Sequence, residues 1–237
     1  DLFRSFYPAY RGEEAVFQAH IELAVAGANC MLDAGCGSGV MSAHELRASG
    51  RLVVGVDSDG DVAKNGRLDY AVRARLDAIP LRDESVDVVV CRYVLEHLDH
   101  PALAFNELAR VLRPNGSFVL MTPNALHYVA VISRLTPLWL HRLLKRGHGV
   151  PDTETFPTYY RANTTPAIRR LAREAGLVVT RLELLETSPN YLEFSRLLYR
   201  LGILYERIVN RVRMLAGLRV SIVATLAKAP TANESTF

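Results

Sequence analysis

Short apolar runs rich in β-branched residues punctuate the first half of the chain. They lie at Cys30–Ala34, Leu52–Val56, Ala71–Leu76, Val86–Cys91 and Ser117–Met121. Most are apolar almost throughout, as strands covered on both faces should be. Helical patterns stand between them at Val40–Ala48, in a short piece near Gly60–Asn65, and at Ala102–Leu112. In the last, Leu103, Leu108, Val111 and Leu112 are expected to share an apolar face, and Arg113-Pro114-Asn115-Gly116 to end it. Strand and helix alternating through short turns imply right-handed crossovers and a mostly parallel sheet, so the fold class is α/β.

The pattern breaks after Pro123. Residues 127–149 are aromatic and basic, with Trp139, His141, Arg142, Lys145, Arg146 and His148, and residues 152–163 are rich in Thr, Pro and Tyr. Regularity returns with a helix over Thr164–Ala175, which Thr164-Thr165-Pro166 starts and Gly176 stops. A strand at Val178–Leu184, a long helix within Tyr191–Leu215 and a last strand at Val220–Ala227 complete the series. The polar tail, 230–237, is expected to be disordered. The segment 125–163 departs from a plain sheet-and-helix domain, and such departures tend to carry function.

Composition narrows the function classes. The 237 residues hold 28 Lys+Arg against 25 Asp+Glu, and 22% charged with 49% apolar residues is ordinary for a globular chain, excluding disordered and collagen-like classes. Cys30, Cys36 and Cys91 form no CxxC pair and no His-rich ligand spacing, so neither a disulfide scaffold nor a metal site is expected. A reducing, cytoplasmic location follows. The longest uncharged stretch, Pro114–Ser133, carries two prolines and a glycine and is no membrane span. Only Lys64, Lys145 and Lys228 among the basic residues are lysine, a bias that genome composition can produce, and no nucleic-acid partner is read from it.

Chemistry is concentrated in Leu32-Asp33-Ala34-Gly35-Cys36-Gly37-Ser38-Gly39, which follows one strand and opens a helix. Glycines at alternate positions allow a sharp turn and let a ligand rest on bare amides. The spacing is GxGxG, with Val40 where the GxGxxG dinucleotide fingerprint needs its third glycine, which counts against a nicotinamide dehydrogenase. Asp57 ends the second strand, where a carboxylate can accept from both hydroxyls of a ribose. Asp77 is expected to end the third strand, and Arg92 stands at the end of the fourth. Polar residues at four successive strand ends predict a nucleoside pocket on one rim of the sheet.

The motifs LDAGCGSG (Leu32–Gly39), VVGVDSD (Val53–Asp59), ARLDAIPLRDESVDVVVCRYVLEHLDHP (Ala74–Pro101) and ELARVLRPNGSFVLMTPN (Glu107–Asn124) occur in that order. Their combination resembles class I S-adenosylmethionine-dependent methyltransferases, especially the group that includes ubiquinone-biosynthesis and related small-molecule methyltransferases. The resemblance implies a Rossmann-like seven-stranded sheet, mostly parallel with a reversed last strand at Val220–Ala227, and helices on both faces. It implies one domain over residues 1–229, with an N-terminal helical segment at 1–28 and a cap-like insertion or lid at 125–163. It also implies S-adenosylmethionine as cofactor. Asp33 and the turn Gly35, Cys36, Gly37 and Gly39 would hold its methionyl part, and Asp57 its ribose. Ser58 would flank the adenine, Asp77 and Ala78 would contact the adenine amino group and ring, and Arg92 and Tyr93 would lie near the methionyl end. The short Gly/Asp-rich segment after Asp57 departs from the family, which often has a longer helix there.

For a hydroxyl acceptor, a histidine base is expected. His97, after the fourth strand, and His127, after the fifth, are the candidates, each with a purely structural role as the alternative; His148, Tyr159 and Tyr160 could reach down as a lid. The long helix carries Leu197, Leu201, Leu204, Ile208, Val212 and Leu215 on one stripe and Arg196, Arg200, Arg207 and Arg211 on another. The stripe is expected to dock on the sheet with the arginines solvated; the alternative is a basic amphipathic helix on anionic membrane. Tyr128–Arg146 has the same character. Together these segments favour a phenol, quinone precursor or lipid-linked sugar as acceptor, with peripheral membrane contact. A non-catalytic cofactor-binding or interaction module is the competing reading.

Overall fold

The computed structural model describes residues 12–39, 46, 51–135, 156–189, 192 and 194–230. Most of the expected helix at 40–48, the basic aromatic stretch with Trp139 and His148, and the tail beyond Pro230 lie outside them. Seven strands form one sheet: β1 (Cys30–Ala34), β2 (Leu52–Asp57), β3 (Tyr70–Arg73), β4 (Val86–Arg92), β5 (Leu112–Pro123), β6 (Leu177–Leu185) and β7 (Ser221–Lys228), in the order β3-β2-β1-β4-β5-β7-β6. The first five run parallel, and β7 is antiparallel between β5 and β6. Leu32 stands between Val54 on β2 and Val89 on β4, so strand order reverses on either side of β1. Open α/β sheets bind their ligands beside such a point, at the carboxyl ends of the strands.

Strand residues alternate between two apolar layers, as the two-residue period of a strand requires. Leu32, Val89, Phe118 and Leu226 face one layer. It is filled by Phe105 and Leu108 of α2 (Pro101–Val111) and by Ile168 and Leu171 of α4 (Thr165–Glu174). Met31, Val88, Val119 and Val223 face the other, with Phe17 and Ile21 of α1 (Glu13–Ala24). Phe105 and Phe118 meet edge to face at 5.6 Å between centroids. Each fully buried side chain of this size stabilises the fold by roughly 1.5–3 kcal/mol. Within the α1 layer, buried His20 bridges Thr225 Oγ1 at 2.7 Å and Glu183 Oε1 at 3.2 Å, and burial lowers its pKa.

Several element boundaries differ from the sequence expectation. β3 ends at Arg73 because β2, its partner, ends at Asp57, and the pairing stops at Asp57–Arg73. Leu76 and Ile79 are apolar because they fill the core from the following loop. Asp77 therefore sits four residues beyond the strand end. Leu103 points to solvent, since 100° per residue places it opposite the face formed by Phe105 and Leu108. Arg113–Gly116 is a bulge within β5, where the register with β4 slips between Val86 and Val88. Asn115 there has a φ of 63°, and a Cβ on Gly116 would come within 2.9 Å of the Asp87 carbonyl.

α4 forms as expected: Thr164 caps it by accepting from the Ala167 amide at 3.3 Å, and Gly176, at φ 72°, ends it. α3 (Tyr128–Leu135) and α5 (Arg196–Arg211) follow the carboxyl ends of β5 and β6. α5 corrects the expectation. It buries Tyr199, Gly202, Ile203 and Val209, whereas Leu197, Leu201, Leu204, Ile208 and Val212 are exposed. Its close approach is to Pro189, which would stand 2.5 Å from a Cβ on Gly202.

Candidate functional site

The glycine turn leaves the end of β1, where the Gly35 amide donates to the Val56 carbonyl at 2.7 Å. Gly35, Gly37 and Gly39 all have positive φ, at 76°, 49° and 80°. A Cβ on Gly35 would meet Val94 Cγ2 at 2.3 Å, so the turn packs against the loop after β4 only as glycine. At Gly37 the surroundings are different: nothing lies within 4 Å of where a Cβ would be, and the turn opens there.

Two side chains brace this turn. Asp57 Oδ2 accepts from the Gly37 amide at 2.8 Å, while Oδ1 accepts from Asp59 N at 2.8 Å. Each oxygen keeps a lone pair for a further donor. Asn65 donates from Nδ2 to the carbonyls of Gly37 at 3.2 Å and Cys36 at 3.4 Å, and it is buried. Nothing in the sequence around Asn65 marks this role, because the contact spans the turn from a different crossover. Burial pushes the Cys36 thiol well above the usual range, helped by Asp33 and Asp57, so this residue would serve a ligand through its backbone. Asp33 is buried at the penultimate position of β1.

The remaining cofactor candidates occupy the same rim. Ser58 is exposed just past β2, and its carbonyl accepts from Arg73 Nε at 3.2 Å. Asp77 is half-buried and gripped by Arg75, Nε to Oδ1 at 2.9 Å and Nη2 to Oδ2 at 2.7 Å; these bonds hold its carboxyl below the usual range. Ala78 beside it is exposed. Arg92 and Tyr93 turn toward α1. Arg92 pairs with Glu14, and the Tyr93 hydroxyl donates to Glu13, which also accepts from Ser221. Tyr93 takes a φ of 54° to make this turn, and the Arg92 guanidinium lies 4.7 Å from its ring centroid. Glu13 and Glu14 were not among the expected site residues. Their partners Arg92 and Tyr93 lie about 80 positions away and Ser221 about 200, and two acids in a helix's first turn read simply as favourable to its dipole.

The two histidines sit differently. His97 is half-buried in the one-turn 3-10 helix Leu95–His97, with Nδ1 3.0 Å from the Pro157 carbonyl and Phe156 edge-on at 5.9 Å. A carbonyl only accepts, so Nδ1 carries the proton and Nε2 keeps its lone pair. His127 is 2% exposed. Its Nδ1 accepts from Val129 N at 3.4 Å, so its proton is on Nε2, which lies 3.5 Å from Glu186 Oε1 without a hydrogen bond. Tyr128 and Tyr205 cover its ring, at 4.2 and 5.7 Å. Burial, with Glu186 and Tyr128 nearby, pushes the Tyr205 phenol up to about 12.

Glu96 is a further addition to the site. Its carboxyl is buried, accepts from Thr122 Oγ1 at 3.1 Å, and is raised above the ordinary 4.5 mainly by burial. Its carbonyl accepts from the amides of Tyr159 at 2.7 Å and Tyr160 at 3.2 Å, joining residues 156–163 to the loop after β4. Asn163, fully buried, donates to Thr122 Oγ1 at 2.5 Å and to the Pro123 carbonyl at 3.2 Å. The lid expectation for Tyr159 and Tyr160 thus corresponds to a segment fastened beside His97; His148 lies outside the described residues.

Comparison with known proteins fits this rim. Residues 32–120, from the β1 end of the glycine turn through β5, match the family described as "Methyltransferase domain". Over that stretch the chain is similar to methyltransferases. A "Probable S-adenosylmethionine-dependent methyltransferase" of Mycolicibacterium smegmatis is 38% identical over 133 residues, covering 54% of this chain and 50% of that protein. A "Ubiquinone biosynthesis O-methyltransferase" of Xanthomonas oryzae pv. oryzae is 32% identical over 134 residues, covering 53% and 55% respectively. The chain thus spans about half the length of these curated relatives. Among solved structures, geranyl diphosphate C-methyltransferase from Streptomyces coelicolor A3(2) superposes with a TM-score of 0.59 at 15% identity. It covers 92% of this chain and 79% of that one, a likeness of fold.

Proposed function

We propose that the chain is an S-adenosylmethionine-dependent O-methyltransferase acting on a small or lipid-like acceptor, such as a phenol, a quinone precursor or a lipid-linked sugar. The observation that carries the reading is the open glycine turn at Gly37, braced by Asp57 at the switch point of the sheet. The residues present fit the cofactor. Bare amides and an open cradle suit an amino-acid moiety, and Asp57 retains lone pairs for ribose hydroxyls. Asp33, Cys36 and Gly35–Gly39 would hold the methionyl part, Asp57 the ribose, and Ser58, Asp77 and Ala78 the adenine, with Arg92 and Tyr93 closing the methionyl end.

When bound, the cofactor supplies a methyl group already activated on a sulfonium. The protein's task is then to orient the acceptor, exclude water and take one proton. His97 suits the last task. Its Nδ1–H is held by the Pro157 carbonyl, which fixes the ring and leaves Nε2 to accept the acceptor's hydroxyl proton. His127, with Nδ1 accepting from Val129 and its ring enclosed by two tyrosines, suits a structural role at the floor of the acceptor side. The ubiquinone-biosynthesis relative, an O-methyltransferase by name, supports oxygen as the methylated atom.

Thermal unfolding with S-adenosylmethionine, S-adenosylhomocysteine, NADH and no ligand tests the cofactor. Ligand at ~100 times its dissociation constant adds about 2.7 kcal/mol, a shift of a few degrees. The two S-adenosyl compounds should raise the midpoint and NADH should not. Gly37→Val should lose the shift by filling the cradle, and its circular dichroism and ligand-free midpoint separate that loss from the strain of a branched side chain at φ 49°. Transfer of labelled methyl to phenolic acceptors should then fall about 10²–10⁴-fold in His97→Gln, with S-adenosylhomocysteine affinity unchanged. Absence of any S-adenosyl shift at millimolar ligand would overturn the assignment and favour an interaction module.

A further inference from the structure

α5 leaves outside the core the very residues that an amphipathic helix normally hides. At 100° per residue, Leu197, Leu201, Leu204 and Ile208 fall within about 60° of one another, and their exposures are 68%, 52%, 55% and 43%. Arg196, Arg200, Arg207 and Arg211 occupy the adjoining arc, and all four are exposed. The helix has one acid, Glu206, which is half-buried and faces away from both rows. Beyond the helix end the same character persists in Arg213 and in Met214, which is 94% exposed.

The position of this face follows from topology. β6 ends at Leu185 and β7 begins at Ser221, and these residues pair beside Pro123 at the end of β5. α5 is held at that rim: Asn210 donates to the Glu186 carbonyl at 3.3 Å, and Gly202 abuts Pro189. Tyr205 packs on His127 and Tyr128, so α3, with Val131 and Ile132 exposed, is its neighbour. The exposed stripe therefore lies on the carboxyl rim of the sheet, on the β5–β7–β6 side, with the glycine turn on the β1 side.

We propose that this face of α5 docks the protein on an anionic phospholipid surface. A row of leucines flanked by guanidinium groups matches the depth profile of a bilayer surface, where acyl chains lie beneath phosphates. Charge selects this occupant over a second copy of the chain. Self-pairing along the stripe would bury leucine against leucine but bring no acid from α5 to the arginine row. Among the described residues no helix is long and apolar enough to cross a membrane, so the contact is one of lying on the surface. Docking in this pose turns the His127 side of the rim toward the lipid. An acceptor dissolved in the bilayer could then enter without crossing water.

Vesicle flotation of the full chain, without cofactor, tests this separately from methyl transfer. Vesicles of phosphatidylcholine with an equal part of phosphatidylglycerol should carry the protein up; pure phosphatidylcholine should not, and added salt should release it. Arg200→Glu with Arg207→Glu and Arg211→Glu should weaken partitioning by at least about 100-fold, roughly fivefold per arginine removed. Leu201→Gln with Leu204→Gln should reduce it about tenfold or more while leaving the unfolding midpoint in place, since both positions are exposed. Equal binding to both vesicle types, or binding that neither set of changes alters, would overturn the proposal. So would a dimer in light scattering that Leu201→Gln with Leu204→Gln dissolves, in a protein that ignores vesicles.

Discussion

Glu96 and His97 adjoin in sequence and are tied to the same segment, yet their side chains meet opposite surroundings. The Glu96 carboxyl is buried with Thr122 as its donor, whereas His97 is half-buried with one nitrogen fixed and the other available. Burial raises Glu96 above 4.5, so the folded protein holds a proton that the unfolded chain releases. Stability from this group is full below pH 4.5 and is lost as the pH rises through the raised value. Glu96→Gln keeps an acceptor for Thr122 and removes the titration. We expect urea unfolding from pH 4 to 8 to show wild type losing stability relative to Glu96→Gln as the pH rises. A difference constant across that range would mean that Glu96 is not held protonated by the fold. His97 was legible as a candidate because a histidine after the fourth strand stands on the carboxyl rim of the sheet. Glu96 was not legible, since Thr122, which donates to its carboxyl, and Asn163, which donates to Thr122, belong to other elements.

At the scale of elements, the strands were readable because both of their faces are covered. Cys30–Ala34 needed no adjustment, and Leu52 and Val86 begin their strands where the apolar runs begin. α5 was misread because periodicity reveals a stripe but not which side of the helix the sheet will take. Gly202 settled that through packing against the loop at Pro189 and Leu192, a contact no helical wheel contains. The role of α1 was also hidden. Its first turn carries Glu13 and Glu14 across the end of β4 to Tyr93, Ser221 and Arg92, locking the helix over that part of the rim. The Arg92 side chain is 14% exposed, so removing its counter-charge leaves a guanidinium poorly solvated. Glu14→Gln is expected to cost about 1 kcal/mol in chemical denaturation. Glu22→Gln, on the exposed side of α1, should stay within about 0.5 kcal/mol of wild type. Equal losses would reduce the Glu14–Arg92 pair to a surface contact.

Across the whole molecule, the rim is assembled in two halves that share strands but not braces. The glycine turn is fixed from the β2 side, by Asp57 on the Gly37 amide and Asn65 on the Gly37 and Cys36 carbonyls. The β4–β5 side is fixed through Asn163, whose amide ties Thr122 and Pro123 to residues 156–163, while Tyr159 and Tyr160 hang on the Glu96 carbonyl. The first set stands at the ends of β1 and β2, the second at the ends of β4 and β5. Asn65→Ala and Asn163→Ala should therefore dissociate. Hydrogen exchange should quicken at Gly37 in Asn65→Ala and at Tyr159 and Tyr160 in Asn163→Ala, each leaving the other site protected. S-adenosylhomocysteine affinity should fall about tenfold in the first and hold in the second. Asn163→Ala should also lose roughly 1–3 kcal/mol of stability, because its amide donors are buried and leave Thr122 and Pro123 short of partners. If either change loosens both sites together, the rim is one cooperative unit, and acceptor binding would have to be coupled to cofactor binding through β1 and β4. If they separate, cofactor capture is a property of β1–β3 alone, and the acceptor half can change its substrate without disturbing it.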